Sequence, residues 1–343
     1  MTKRPVTIKD IAKIAKVHDS TVSRALSNDP NISDKTKKRI LGIAKELKYQ
    51  RNDLAKSLRD RKTRIIGLVI SDILNPFYTE VTRAIEDQAQ AKGYNLMLCN
   101  SDYNPRKERN YLSLLMGKQV DGILIFPVLG KDNNLKLLRE SNIPYVLMDT
   151  CPQDFHANYV YTDQKTGAYD AVTYLIERGH KDIVLYTGPK GLTSSSIQME
   201  LGYCQALTEN NIKIKKKLIY STVLSEKDHL EGTTRALLEK QKDLKFTAIL
   251  CISDIFAKSV YECAQQMGIR IPDELSVIGY DDTYICPNLN PPLTSVSQLK
   301  YSIGQEAVDV LLKEIKAGQN WQYQTIKFTP KIVERGSVIQ LKK

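Results

Sequence analysis

Few side chains in this sequence could do covalent or metal chemistry. The four histidines, His18, His156, His180 and His229, lie far apart, and none falls in a metal-ligand spacing such as H-x-x-x-H. The six cysteines, at 99, 151, 204, 251, 263 and 286, form no C-x-x-C pair. That scatter is the pattern of reduced, mostly buried thiols in a cytoplasm rather than of a disulfide framework or a zinc site. No serine occupies a G-x-S-x-G elbow. "TGPKGLTSS" lacks the Gly-Lys-Ser/Thr order of a phosphate loop and reads as a turn at a strand end. Neither catalysis nor a cofactor is expected. The chemistry left is non-covalent, and its densest stretch is "STVSRALSN", where Thr21, Ser23 and Arg24 offer hydroxyls and a guanidinium within four residues.

Three short helices must position those groups. Ile8, Ile11, Ala12 and Ala15 recur as one stripe of a helix, which Thr7 and Asp10 start in the manner of a capping box. Val22, Ala25 and Leu26 repeat the spacing, so Thr21, Ser23 and Arg24 face away. A third stripe, Ile40, Ile43, Ala44 and Leu47, follows Ser33 as its cap. Helices this short are marginal alone and must bury their stripes against one another.

Charge says what the outward face meets. Residues 1–64 hold 18 of the 50 Lys and Arg but only 7 of the 39 Asp and Glu. The rest of the chain holds 32 of each, so the whole excess of +11 sits on the small N-terminal module. That segregation points to a nucleic-acid-binding head on a neutral body, over a merely lysine-rich surface. With 42% hydrophobic and 26% charged residues the composition is that of an ordinary globular protein. No apolar run reaches the ~18 residues of a membrane span. The basic start "MTKRP" leads into no apolar secretory segment, so a cytoplasmic protein without a membrane partner is expected.

From Arg64 the texture changes to strands alternating with helices. "RIIGLVI" is a continuous apolar run of the kind parallel sheets use, and "YNLMLC", "DGILIFPV", "YVLMD", "NYVYTD", "DIVLYTG", "KLIYST", "TAILCIS" and "LSVIGYDD" follow. Helices are expected at 132–141, 165–179, 195–210, 226–242, 254–267 and 301–317, among others. The alternation implies βαβ units and two α/β halves with a cleft at the carboxyl ends of their strands. Residues 49–64, "YQRNDLAKSLRDRKTR", would make one short basic helix that needs a partner to order it. Trp321 reads as a packing residue near the last strand.

At this point the sequence resembles the LacI/GalR family of bacterial transcription regulators. "VTIKDIAKIAKV" with "TVSRAL" is similar to its helix-turn-helix signature and "YQRNDLAKSL" to its hinge helix. "RIIGLVISDILNPFY", "LCNSD", "KQVDGILIFP", "GHKDIVLYTGP", "IRIPDELSVIGYDD" and "PPLTSV" resemble successive blocks of its core. The resemblance implies an all-α helix-turn-helix head at 1–50, a hinge helix at 51–62, and a periplasmic-binding-protein type I-like core at 63–343. Two Rossmann-like subdomains would divide that core, approximately 63–162 with 291–323 and 163–290 with 324–343.

By position, the resemblance puts the second helix in the major groove with Asp19, Ser20 and Arg24 reading bases. Arg24 suits a bidentate contact to guanine. Thr7, Thr21, Ser23, Tyr49 and Asn52 would hold phosphates. Ala55, Leu58 and Arg59 would enter the minor groove, Leu58 as the wedge that kinks a base step. The bland alternatives are a solvated face for Arg24 and packing between paired hinges for Leu58. Four positions depart from the family pattern. Lys16 replaces a turn Gly, Arg51 a Pro, and Ser27 an Asn. His18 replaces a capping Ser or Thr, so the Asp19 carboxylate is expected to take over the cap at the expense of base reading.

In the core the resemblance points to Phe77, Tyr78, Asp149, Met199, Ser253 and Asp281 as effector-binding positions. Asp281 would accept ligand hydroxyls, unless it and Asp282 merely cap the next turn. Met199 stands where sugar-binding members carry Arg, which speaks against a simple sugar or anion held there. The implied function is a repressor that binds a pseudo-palindromic operator in double-stranded DNA as a homodimer in the bacterial cytoplasm, on the nucleoid. A sugar-like effector in the cleft would govern it. The alternatives are control by a protein corepressor, and a small-molecule-binding protein that binds no DNA.

Overall fold

Thr7 begins the first helix as its spacing implied. Asp10 donates its backbone N–H to Thr7 Oγ1, while the Asp10 carboxylate accepts from the Thr7 backbone N–H at 2.8 Å. The two groups form a reciprocal capping box. The computed structural model describes residues 6–49, 62–129, 134–148, 155–189, 191, 193–222 and 229–341, and the chain divides into two units, Met1–Thr63 and Arg64–Lys343.

The first unit holds α1 (Ile8–Ala15), α2 (Asp19–Leu26) and α3 (Asp34–Glu46). Ile11, Ala12, Ala15, Val22, Ala25, Ile40 and Ala44 are buried together, which is the intersection of the three stripes. Lys16 closes α1 in the left-handed region at φ 50°, ψ 47°, where a Cβ is crowded and glycine is not. Lys16→Gly is therefore expected to raise the stability of this unit by up to about 1 kcal/mol. A higher urea midpoint of its unfolding transition checks this.

From Arg64 the order is β1 (Ile65–Ile70), α4 (Pro76–Ala91), β2 (Asn95–Asn100), α5 (Pro105–Gly117), β3 (Gly122–Ile125), α6 (Leu135–Glu140), β4 (Tyr145–Met148) and β5 (Asn158–Thr162). Next come α7 (Gln164–Glu177), β6 (Ile183–Thr187), α8 (Ser194–Glu209), β7 (Ile219–Ser221), α9 (His229–Glu239), α10 (Gln241–Leu244), β8 (Ala248–Cys251) and α11 (Asp254–Met267). The chain finishes with β9 (Ser276–Asp281), β10 (Thr294–Ser297), α12 (Lys300–Ala317), β11 (Thr325–Phe328) and β12 (Lys331–Val333). The single helix expected over 226–242 is divided, with α9 and α10 meeting at Lys240.

Two six-stranded sheets result, ordered β11-β5-β4-β3-β1-β2 and β12-β10-β9-β8-β6-β7. Every pairing is parallel except β10 with β12. Their strands are near-continuous apolar runs because helices cover both faces. The expected subdomain boundaries need correction. β10, at 294–297, pairs with β9 in the second sheet, and β11, at 325–328, pairs with β5 in the first. The chain therefore changes sheets after 297 and again between 328 and 331, not at 291 and 324. Hydrophobic periodicity identifies a strand but not the sheet it joins.

Gly202 lets α8 lie directly on α7: a Cβ there would come within 2.1 Å of the Lys165 carbonyl oxygen. Trp321 is half-buried against the first core, and its indole N–H donates to Asn158 Oδ1 at 2.9 Å. Cys99, Cys251, Cys263 and Cys286 are buried and Cys204 partly so. All five are free thiols whose pKa burial raises, as expected of structural cysteines, while Cys151 lies outside the described residues.

His180 is fully buried between the Thr247 hydroxyl at Nδ1 (2.8 Å) and the Ile339 carbonyl at Nε2 (3.1 Å). Burial holds its pKa below the ordinary imidazole value. The unfolded chain thus binds the extra proton first as pH falls, and stability is expected to drop below about pH 6.5. Melting temperatures from pH 7.5 to 5.5 check it: His180→Gln should flatten the slope in that range.

Candidate nucleic-acid interface and effector site

On α2 the buried residues are Val22 and Ala25; Ser20, Ser23 and Arg24 lie on the opposite side, and Asp19 and Thr21 flank it half-buried. The cap is a correction to expectation. His18, not Asp19, starts the helix: the Ser20 N–H donates to His18 Nδ1 at 3.3 Å, and the Ser20 hydroxyl lies 2.9 Å from the same nitrogen. Accepting the amide bond requires Nδ1 unprotonated, the tautomer with hydrogen on Nε2. Asp19 is relieved of capping and sits half-buried in the first turn, where a carboxylate is favoured. Ser20 is drawn toward the cap instead.

Arg24 has a side chain 63% exposed, so its guanidinium is within reach of a partner. Its ion pair with Asp29, at 3.9 Å, is long. Asp29 is held below the usual carboxylate range first by the backbone N–H of Asn31. Thr21 and Ser23 are half-buried on the same helix, and Tyr49 packs its ring partly against the head core. The Thr7 hydroxyl donates to Asp10 Oδ2 at 2.8 Å, so a phosphate contact competes with its cap. Asn52, Ala55, Leu58 and Arg59, with residues 51–61 of the expected hinge helix, lie outside the described residues.

In the second unit two of the expected polar groups, Asp281 and Ser253, lie at strand ends. Asp281 ends β9, is 4% exposed, and adopts φ 107° with Asp282 beside it at φ 52°. Its Oδ1 accepts from Gln298 Nε2, and Gln298 Oε1 in turn accepts from Gln164 Nε2 at 2.8 Å. Asp282 does pair, with Arg335 at 2.7 Å. Ser253 follows β8 at the start of α11, nearly buried, and its hydroxyl makes no capping hydrogen bond. Phe77 and Tyr78 open α4, meet each other edge to face at a centroid distance of 5.2 Å, and meet Phe126 the same way at 5.8 and 5.0 Å. Each is 5% exposed, so most of their surface belongs to the core of the first sheet.

Met199 is a correction. It is fully buried with Ala168, Val172, Leu185 and Tyr203 in the core under α7 and α8, so packing accounts for its place. Helical periodicity puts it on the same face as Gly202 and Tyr203, a signal for packing that outweighs the positional likeness. Asp149 lies outside the described residues.

Sequence reasoning passed over Asp254, Gln298, Lys300 and Glu80. Asp254 is buried, with its pKa raised by burial. It accepts from the Thr283 N–H (2.7 Å), the Thr283 hydroxyl (2.9 Å) and the Ser295 hydroxyl (2.6 Å), and so shapes the loop that carries Asp281. Among the described residues no group of three His, Cys, Asp or Glu could hold a metal ion, and no helix is long and apolar enough to cross a membrane.

Comparison with known proteins decides the family. Residues 7–52 match "Bacterial regulatory proteins, lacI family" and residues 172–338 match "Periplasmic binding protein-like domain". A protein from Actinobacillus pleuropneumoniae serotype 3, "HTH-type transcriptional repressor PurR", is 34% identical over 339 residues, 98% of this chain and 99% of that one. The chain belongs to the LacI family. A Histophilus somni repressor of the same name is 32% identical over 97% of this chain and 98% of its own. Among solved structures, the lac repressor dimer bound to operator and the anti-inducer ONPF is 25% identical, with a TM-score of 0.84 over 98% of this chain and all of that one. The regulator CelR in complex with cellobiose is also 25% identical, at a TM-score of 0.71 over 97% of this chain and 99% of that one. This LacI-family chain is a DNA-binding transcriptional repressor, not an enzyme.

Proposed function

We propose that this LacI-family protein represses transcription as a homodimer on a pseudo-palindromic operator, in the cytoplasm on the nucleoid, and that a sugar-like effector bound in the core governs its grip. The carrying observation is the division of charge and chemistry. The head holds the whole positive excess of the chain and an exposed guanidinium on α2, while the neutral core holds a nearly buried carboxylate at a strand end. In the proposed division, 1–50 reads bases through Asp19, Ser20 and Arg24, and Thr7, Thr21, Ser23, Tyr49 and Asn52 meet phosphates. Residues 51–62 form the hinge, with Ala55, Leu58 and Arg59 in the minor groove, and the core from 63 binds effector through Asp281 and Ser253, with Phe77, Tyr78 and Asp149 as further effector-binding residues.

A single head offers too few contacts for specific affinity, and two tied together supply them. The exposed Leu74, Tyr284, Leu299 and Tyr301 offer apolar surface to a second copy as partner. The cellobiose of CelR and the ribose bound to a 25% identical Enterococcus faecium regulator support a sugar-like ligand. A coupling of ~1–3 kcal/mol between effector and DNA changes occupancy about five- to 150-fold.

Calorimetric titration of the full chain with sugars, sugar acids and nucleobases tests the effector. Heat from one probe, abolished by Asp281→Asn, supports the reading, and no heat from any turns it toward a protein corepressor. Deleting residues 1–62 tests the head: retention of DNA binding after the deletion sinks the assignment of the interface.

A further inference from the structure

Lys300 is the first residue of α12, yet its side chain is only 8% exposed. A buried ammonium must be matched by acceptors or it does not stay buried. Its partners are the backbone carbonyl oxygens of Asp281 and Asp282, the latter at 2.6 Å, and Glu80 Oε2 at 3.3 Å. The side chains of the two aspartates meet other groups, Asp281 Oδ1 accepting from Gln298 and Asp282 Oδ1 from Arg335. The cation therefore reads the course of the backbone, and that course is unusual. Asp281 and Asp282 are consecutive non-glycine residues at positive φ, a conformation that persists only when its surroundings fix it.

Glu80 closes the arrangement from the other side. Its Oε1 accepts the Tyr284 N–H at 3.1 Å, so one carboxylate on α4 holds the far end of the segment whose near end lies on Lys300. Asp254 and Ser295 brace the same segment from within its own sheet, through Thr283 and the Asp282 N–H. α4 and α12 pack instead on the first sheet, through Phe77, Val81, Ile303 and Leu311. Glu80 and Lys300 thus make contacts that span the two subdomains. An open recess of about 390 Å³ lies beside them, lined by Glu80, Arg83, Leu299, Lys300, Tyr301 and Ser302.

We propose that Lys300, clasped to Glu80, is a positioning residue for effector binding, fixing the backbone of Asp281 from the opposite subdomain so that its carboxylate is presented to ligand. The inference rests on the reading of Asp281 as an effector-binding residue. The full-length protein is titrated with D-ribose, cellobiose and adenine as wild type, Lys300→Met, Lys300→Arg, Glu80→Gln, Asp281→Asn and Asp281→Asn with Lys300→Met. Hydrogen exchange of the 282–284 amides is followed without ligand.

Lys300→Met is expected to raise the Kd of the bound probe at least tenfold, Glu80→Gln several-fold, and Lys300→Arg to restore most of the affinity. The double variant should bind no worse than Asp281→Asn alone, because the lysine acts through that residue. The 282–284 amides should exchange at least tenfold faster in Lys300→Met and Glu80→Gln. Lower melting temperatures with wild-type Kd overturn the proposal and leave a structural role. Should Lys300→Met fail to fold, Glu80→Gln, partly exposed and leaving the ammonium its carbonyls, carries the test. If no probe binds the wild type, exchange decides: faster 282–284 exchange in the variants upholds the clasp and places the failure in the effector reading, and wild-type exchange overturns the clasp.

Discussion

Between 50 and 200 mM salt, the affinity of this protein for duplex DNA is expected to fall about 10³- to 10⁵-fold. The reason is the placement of charge. The excess of +11 belongs wholly to residues 1–64, and the proposed dimer would bring two such modules to one duplex. Each phosphate neutralised releases condensed counterions, so log K falls with log salt at about −0.9 per phosphate on B-DNA. If the dimer meets roughly 6–10 phosphates, the slope lies near −5 to −9. The neutral core adds nothing to it. Fluorescence anisotropy at four salt concentrations gives the slope directly, and a flat plot contradicts the phosphate contacts assigned to the head.

Arg24→Ala should cost about 1–3 kcal/mol at each half-site and relax base preference at one position per half-site. The physical basis is the geometry of α2. Val22 and Ala25 anchor the helix in the head core, which fixes the opposite face, and Arg24 projects from that face with 63% of its side chain exposed. Its pair with Asp29 is too long and too wet to hold it back from a better acceptor. A guanidinium that meets guanine O6 and N7 together discriminates among bases, whereas a phosphate contact does not. Thr21→Ala is the control, expected to weaken all duplexes alike. Binding-site selection with both variants separates the roles. An Arg24→Ala protein with wild-type base preference would refute base reading by this residue.

Much of the molecule was legible in the sequence because local chemistry decides it. The Thr7–Asp10 box, the Ser33 cap and the three apolar stripes of the head need only i, i+3 and i, i+4 spacing, and each is found where that spacing puts it. The β-branched runs of the parallel sheets were equally plain. What failed was non-local. The sheet that β10 or β11 joins depends on crossings that no periodicity records. The cap of α2 turned on whether an imidazole could accept an amide N–H, a possibility hidden behind the better-known carboxylate next to it. Met199 looked like a ligand position by its distance from Gly202, and packing claims it because that face of α8 lies on α7 and the sheet. Lys300 was invisible for the opposite reason. In sequence it is one lysine among many, and only the strained carbonyls of Asp281 and Asp282, contributed by another sheet, give it meaning.

The most direct measurement of the central claim is selection from a pool of random duplexes by the purified full-length protein, followed by competition of the enriched duplex against random DNA at physiological salt. Two copies of one head related by symmetry should enrich inverted half-sites, and the enriched duplex should bind roughly 10³- to 10⁷-fold more tightly than random competitor. An enriched pool without inverted symmetry, or one that binds no better than random sequence, would contradict paired groove reading by the cationic head.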